Sequence, residues 1–315
     1  MAERVRAELL ARLDALAEQR GAPAWAGRFE PVRWRASDGV ELQLEVLAPL
    51  EARATVVFMP GTNAYALLYG ELLAALADAG LCVVGFDPRG HGLSEGPRGD
   101  YTIAELVRDF GGVVDYARER FGLPVFAAGS SQGGIAAFYL AASDTPLAGA
   151  ICHNAAELAD PESVRLTRFP RVSRMFAPLL PRLARLAPRF SVPMTAYLDL
   201  AAEPVRGLGN AKAVIAADPL LVDHVSLQAL ASLGSEPLAR PVEAITTPIL
   251  LLHAGDDGIF PLDYIEALFD RLRGPKRLKV YAGLPHYMIV DYVDRFLADL
   301  LAWVDEQLVE RGEIE

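Results

Sequence analysis

The stretch Gly129-Ser130-Ser131-Gln132-Gly133-Gly134 holds the residues most capable of chemistry. Of its two serines, Ser131 has glycine two positions before and two positions after, and Ser130 fits that spacing less well. An apolar run, Pro124–Ala128, precedes it and a helical pattern follows. A serine on such a strand–turn–helix corner takes a strained backbone conformation that projects its hydroxyl. The flanking glycines remove side chains that would collide where helix meets strand. The chemistry implied is nucleophilic attack on a carbonyl carbon. A serine hydroxyl does this at neutral pH only with a histidine base held by a carboxylate.

In this motif the acid and then the base follow the serine along the chain. His286, in the loop Gly283-Leu284-Pro285-His286 after the last apolar run, is the expected base. His91 and His153 lie at the wrong chain positions, and His224 falls in a different region. His253 ends a strand pattern and suits a structural hydrogen bond. Asp256 and Asp257 compete as the acid; the D-x-apolar-x-P register selects Asp257 and leaves Asp256 as a turn residue. An oxyanion needs backbone N–H donors aimed at the developing charge. Gln132 N–H, next to the serine, is one candidate; Thr62 in Pro60-Gly61-Thr62-Asn63 is the other, with Asn63 its competitor.

Eight strand-length apolar runs can position these groups: Val32–Arg35, Glu41–Ala48, Thr55–Met59, Leu81–Phe86, Pro124–Ala128, Leu147–Cys152, Ile249–His253 and Leu278–Tyr281. Asp38-Gly39 between the first two reads as a hairpin turn. Helical periodicity recurs at Ala66–Asp78, Ile103–Arg120, Gln132–Ala142, Leu262–Arg271 and Ile289–Val309. Thr102 and Glu105 form a capping-box signature. The alternation predicts an α/β fold: an eight-stranded, mostly parallel sheet with helices on both faces. Ligands then bind beyond the carboxyl ends of the strands. From His153 onward the strand rhythm stops, and nine prolines between Pro161 and Pro237 divide the chain into short helices. The expected organisation is a first core part, 1–152, a helical cap insertion, 153–247, and a second core part, 248–315.

The remaining composition narrows the function classes. The chain has 315 residues and a net charge of −11, which disfavours nucleic acid as a partner. Cys82 and Cys152 are too few for a disulfide framework or a structural zinc site, and no histidine pair has metal-ligand spacing. No G-x-G-x-x-G follows Thr55–Met59, so no dinucleotide cofactor is expected. No apolar block is long enough to span a bilayer. The N-terminal stretch Met1–Arg20, with Val5, Leu9, Leu13 and Leu16 at helical spacing, reads as an amphipathic helix rather than a signal peptide, and a cytoplasmic location is the default expectation. Oligomeric state is not legible.

These residues resemble the α/β-hydrolase superfamily, and more narrowly its monoacylglycerol lipase/lysophospholipase-like branch. The narrowing rests on Phe86-Asp87-Pro88-Arg89-Gly90-His91-Gly92-Leu93-Ser94-Glu95-Gly96-Pro97-Arg98-Gly99, followed by a helix containing Val107-Arg108-Asp109. The resemblance covers about residues 30–150 and 245–310. It implies a cofactor-free Ser131–Asp257–His286 triad that cleaves carboxylic esters through an acyl-enzyme. It also implies that His91 is architectural. One departure is that the oxyanion loop, which usually begins His-Gly, begins here with Pro60-Gly61.

Between Ser163 and Leu198 there is no acidic residue, but there are seven arginines: Arg165, Arg168, Arg171, Arg174, Arg182, Arg185 and Arg189. Met175, Phe176, Leu179, Leu180, Leu183, Leu186 and Phe190 interleave with them. A basic amphipathic segment suits contact with anionic lipid or a portal for an anionic substrate. A solvated face balancing the acidic body is the alternative. The expected substrate is a small-molecule or lipid-like ester with a hydrophobic acyl group. An acyltransferase or an amidase/aminopeptidase on the same triad, or a non-catalytic ligand binder, are the rivals.

Overall fold

Apolar runs without polar alternation must be covered on both faces, which calls for a parallel sheet between helices. The computed structural model describes residues 2–314. The first strands are β1 (Glu30–Arg35), β2 (Glu41–Leu47), β3 (Ala54–Met59), β4 (Leu81–Phe86), β5 (Val125–Ser130) and β6 (Gly149–His153). The chain then leaves the sheet and forms four very short strands, β7 (Ser191–Pro193), β8 (Pro204–Val205), β9 (Gly209–Asn210) and β10 (His224–Ser226). It returns as β11 (Ile249–Ala254) and β12 (Lys276–Tyr281). The main sheet has eight strands in the order β1-β2-β4-β3-β5-β6-β11-β12. Only β1–β2 and β2–β4 pair antiparallel; the other neighbours are parallel. The hairpin at Asp38-Gly39 is closed by Gly39 N–H on Ala36 O and Ala36 N–H on Val40 O.

The helices in chain order are α1 (Ala2–Gln19), α2 (Gly70–Asp78), α3 (Ile103–Phe121), α4 (Gln132–Ala141), α5 (Pro170–Phe176), α6 (Leu180–Leu186), α7 (Ala211–Ala217), α8 (Leu227–Leu233), α9 (Leu262–Arg271), α10 (Met288–Asp291) and α11 (Val293–Glu310). The capping box at Thr102 and Glu105 starts α3. Every residue of helix α4 is buried, and apart from Gln132 none has a charged or amide side chain. Leu9, Leu13 and Ala17 of α1 are buried in the core. No helix among the described residues is long and apolar enough to cross a membrane.

Two differences from the sequence expectation have physical causes. The single helix expected over Ile289–Val309 is broken at Tyr292. Arg206, from the segment between β6 and β11, places its guanidinium on Asp291 O and over the Tyr292 ring, contacts that local periodicity cannot register. That same segment, expected to be helical, also contains the ribbons β7–β10 and β8–β9. Strands of two or three residues pair through their backbone and leave no alternation to read.

The strand order brings the chemistry together. β3 is flanked by β4 on one side and β5 on the other, so consecutive connections run in opposite directions from it. At that switch point the loops beyond β3 and β5 diverge and leave a crevice. Met59 is paired with Gly129, which sets the Pro60–Asn63 loop beside Ser131.

Candidate active site

Ser131 sits between β5 and α4 with φ 54° and ψ −118°, a conformation rare for a residue with a side chain. It persists because both sides of the corner are locked. A Cβ on Gly129 would lie 2.2 Å from the Gly133 backbone, and one on Gly133 would lie 2.0 Å from Met59 O. Strand and helix can meet at this angle only when both positions lack side chains. Ser130, the competing serine, points elsewhere: its hydroxyl is buried against His153 Nδ1 at 3.1 Å.

Asp257 and His286 lie in the loops beyond β11 and β12, and they meet. His286 Nδ1 is 2.8 Å from Asp257 Oδ2, with the Asp257 side chain fully buried. The carboxylate also accepts from Asn154 Nδ2 at 2.8 Å, Ile259 N–H at 2.9 Å and Phe260 N–H at 2.8 Å. Burial alone would raise the Asp257 pKa, but the facing His286 imidazole, with the Phe260 N–H, outweighs it and holds the group well below the usual carboxylate range. Burial opposes charge on His286 too; the Asp257 carboxylate reverses that, with help from Glu203, and the pKa lies above that of free imidazole. The His286 ring is stacked parallel to Phe260, centroids 5.8 Å apart. Asp256, the rival acid, is exposed.

Ser131 and His286 line a common cavity of about 30 Å³, together with Thr62, Asn63 and Tyr287. Among the described residues no hydrogen bond joins Ser131 to His286. A second cavity, of about 300 Å³, also reaches Ser131, and Thr62 and Gln132 line it. The N–H groups of Thr62, Asn63 and Gln132 find no protein acceptor among the described residues. The first N–H groups of a helix have no partner within it, so Gln132 N–H is free by construction. The Thr62 carbonyl lies 2.6 Å from Nε2 of buried His91, whose other ring nitrogen is 2.8 Å from Arg89 O. His91 thus tethers the Thr62 loop rather than reaching a cavity.

A support network behind the cluster was not visible in the sequence. Asn154, at φ 66°, bridges Asp257 and His253: its Nδ2 donates to Asp257 and its Oδ1 accepts from His253 Nδ1 at 2.6 Å. His153 is 5.4 Å from His286, ring to ring, and its Nε2 has no partner. Burial first, then neighbouring His286, keep the His153 pKa well below the ordinary value, so its imidazole is neutral. Donor atoms of His153, Asp257 and His286 lie within 4.8 Å of one another. Asp257 and His286 are already engaged with each other through the 2.8 Å hydrogen bond. His224 lies apart, paired with adjacent Asp223. Cys82 and Cys152 are buried free thiols.

Known proteins share this architecture along most of the chain. The monoacylglycerol lipase of Mycolicibacterium smegmatis is 29% identical over 280 residues, spanning 86% of this chain and 95% of its own. The monoglyceride lipase of Homo sapiens is 26% identical over 287 residues, with 88% and 90% covered. The crystal structure of Paleococcus ferrophilus monoacylglycerol lipase superposes with a TM-score of 0.68 at 26% identity, covering 85% of this chain and 99% of that one. The family model described as "Serine aminopeptidase, S33" matches residues 50–292. The chain belongs to that family, within the α/β-hydrolases and on their monoacylglycerol lipase-like branch.

Proposed function

We propose that this protein is a serine carboxylic ester hydrolase acting on lipid-like esters with a hydrophobic acyl group. The observation that carries the substrate class is the 300 Å³ cavity. Its lining is apolar, with Ile135, Leu158, Leu166, Phe169, Phe176 and Leu230 among the contributors, and includes no charged side chain. It ends at Ser131. In the proposed mechanism Ser131 Oγ attacks the ester carbonyl while His286 takes its proton, and Asp257 holds the imidazolium that results. The N–H groups of Thr62 and Gln132 receive the oxyanion. Collapse expels the alcohol, protonated by His286, and leaves an acyl-serine. Water, deprotonated by His286, then releases the carboxylic acid. No metal or cofactor takes part in these steps.

An aminopeptidase must hold a protonated α-amine, and neither cavity offers an Asp or Glu side chain for it. Ester cleavage is therefore favoured within the family. A panel of p-nitrophenyl esters of increasing acyl length, monoacylglycerols, lysophospholipids and aminoacyl amides tests this. Medium and long acyl esters should be cleaved well and the amides not at all. Preference for aminoacyl amides would overturn the proposal.

We also propose that residues 153–247 act as a cap and that the cap meets anionic lipid. Phe169, Val172 and Phe176 line the large cavity, and each is about half exposed. Met175, Leu186 and Phe190 extend that apolar face, with exposures of 64%, 84% and 63%. Arg165, Arg168, Arg174 and Arg189 have acidic partners, whereas Arg171, Arg182 and Arg185 form no ion pair among the described residues. None of the seven lines the large cavity, which disfavours the portal alternative. A basic residue near an anionic surface contributes about 1 kcal/mol. Reversing Arg171, Arg182 and Arg185 to Glu should weaken retention on phosphatidylserine-containing vesicles by on the order of 100-fold or more. Turnover of a short soluble ester should not change. Equal retention of both proteins in a flotation assay would remove the idea. The cytoplasmic setting belongs to the same proposal.

A further inference from the structure

The catalytic cluster has one carboxylate more than a triad needs. Glu203 lies in the segment between β6 and β11, directly before the β8–β9 ribbon, and is 2% exposed. No sequence motif marks it. Its Oε1 occupies the space where a side chain at position 258 would begin: a Cβ on Gly258 would be 2.1 Å away. The backbone N–H groups of Gly258 and His286 both face the carboxylate. One of those residues follows Asp257, and the other is the histidine itself. Oε2 is buried and has no hydrogen-bond partner.

The neighbouring residues tighten the same contact. Arg206 N–H donates to Asp291 Oδ2 at 2.8 Å. The Arg206 guanidinium donates to Asp291 O at 3.3 Å and lies 5.3 Å over the Tyr292 ring. Residues 203–206 therefore grip the Asp257 loop at one end and the helix beyond His286 at the other.

We propose that Glu203 is a positioning residue that clasps the loops bearing Asp257 and His286 and lends a second negative charge to the imidazolium formed on His286. The inference rests on the proposed role of the triad and deepens it. The titratable groups around His286 are Asp257, Glu203, His153, His253 and Tyr287. His153 and His253 are held neutral chiefly by burial, and burial likewise keeps the Tyr287 phenol protonated. Asp257 and Glu203 are thus the two carboxyl groups of the set. Burial pushes the Glu203 pKa upward, and His286 with the two N–H groups offsets only part of this. Removing its charge leaves the imidazolium with Asp257 alone. Because catalysis requires neutral His286, the acid limb of the rate profile must then move to lower pH.

The test measures kcat/KM for a p-nitrophenyl ester, and the rate of fluorophosphonate labelling, from pH 4.5 to 9 in wild type, Glu203→Gln and Glu203→Asp. Glu203→Gln should move the acid limb down by roughly one pH unit. It should also lower the plateau rate. Glu203→Asp keeps the charge on a shorter arm and should give a smaller shift in the same direction. A limb unmoved in Glu203→Gln, with rates reduced equally at every pH, would show a purely structural part and overturn the proposal. If Glu203→Gln does not fold, as judged by its thermal transition, an unmoved limb in Glu203→Asp overturns it instead. Wild-type protein that fails to label at Ser131 would refute the triad itself, an outcome separate from either variant result.

Discussion

Ser131→Ala should lower kcat for p-nitrophenyl esters by on the order of 10⁵ to 10⁶, down to the rate that binding and oxyanion contacts alone sustain. Ser131 lines both cavities, whereas Ser130 lines only the smaller one. Ser130 is one position away but is turned into the sheet against His153. The mutation should leave the fold intact. Alanine retains the β-carbon, and the corner is held by Gly129, Gly133 and the Ser131 N–H bond to His153 O at 2.8 Å. The measurement pairs steady-state kinetics with a thermal melt. An unchanged burst of p-nitrophenol in Ser131→Ala would mean that another nucleophile is acylated.

Asp257→Asn has the next largest expected effect, about 10⁴ in kcat. The carboxylate meets four donor positions: His286 Nδ1, Asn154 Nδ2 and the N–H groups of Ile259 and Phe260. A carboxamide has one oxygen, so its NH₂ must face a donor wherever it is placed. If it faces Nδ1, the imidazole is forced into the tautomer that cannot take the Ser131 proton. If it faces the loop N–H groups, the Asp257 loop loses its anchor. Loss of a partner for a buried charged group costs about 3 kcal/mol or more, so the variant should also melt earlier.

The pH behaviour of the two forms should differ in sign-specific ways. In wild type the His286 pKa is above that of free imidazole, so activity declines with acidification starting from a higher pH than free imidazole would impose. In Asp257→Asn the attraction is gone, and the residual activity should persist to lower pH. Stability follows the same linkage. Asp257, depressed in the folded state, contributes stability above its unfolded pKa that is lost as pH falls. Identical acid limbs in the two proteins would remove Asp257 as the partner of His286.

Much of the sheet could be read from the chain because the inner strands β3, β4, β5, β6 and β11 carry mostly apolar, fully buried runs between turn residues. β4 begins and ends at the residues its pattern predicts, and the Gly-x-Ser-x-Gly corner is a local device whose glycines declare their purpose. The parallel strands deliver the loops that bear Ser131, Asp257 and His286 to one edge of the sheet, so residues far apart in the chain meet there. Boundaries moved by a residue or two where pairing extended a strand, as at β5, which runs on to Ser130.

What depended on the folded chain were relations between residues far apart in sequence whose side chains carry no periodic signal. Asn154 holding Asp257, His153 beside His286, Arg206 on the break in the last helix and Glu203 against Gly258 each join segments separated by dozens of positions. Composition and spacing could nominate Ser131, Asp257 and His286, because each stands in a local motif. The distances, the burial and the extra carboxylate beside them were decided by tertiary packing, because desolvation and charge coupling act through space.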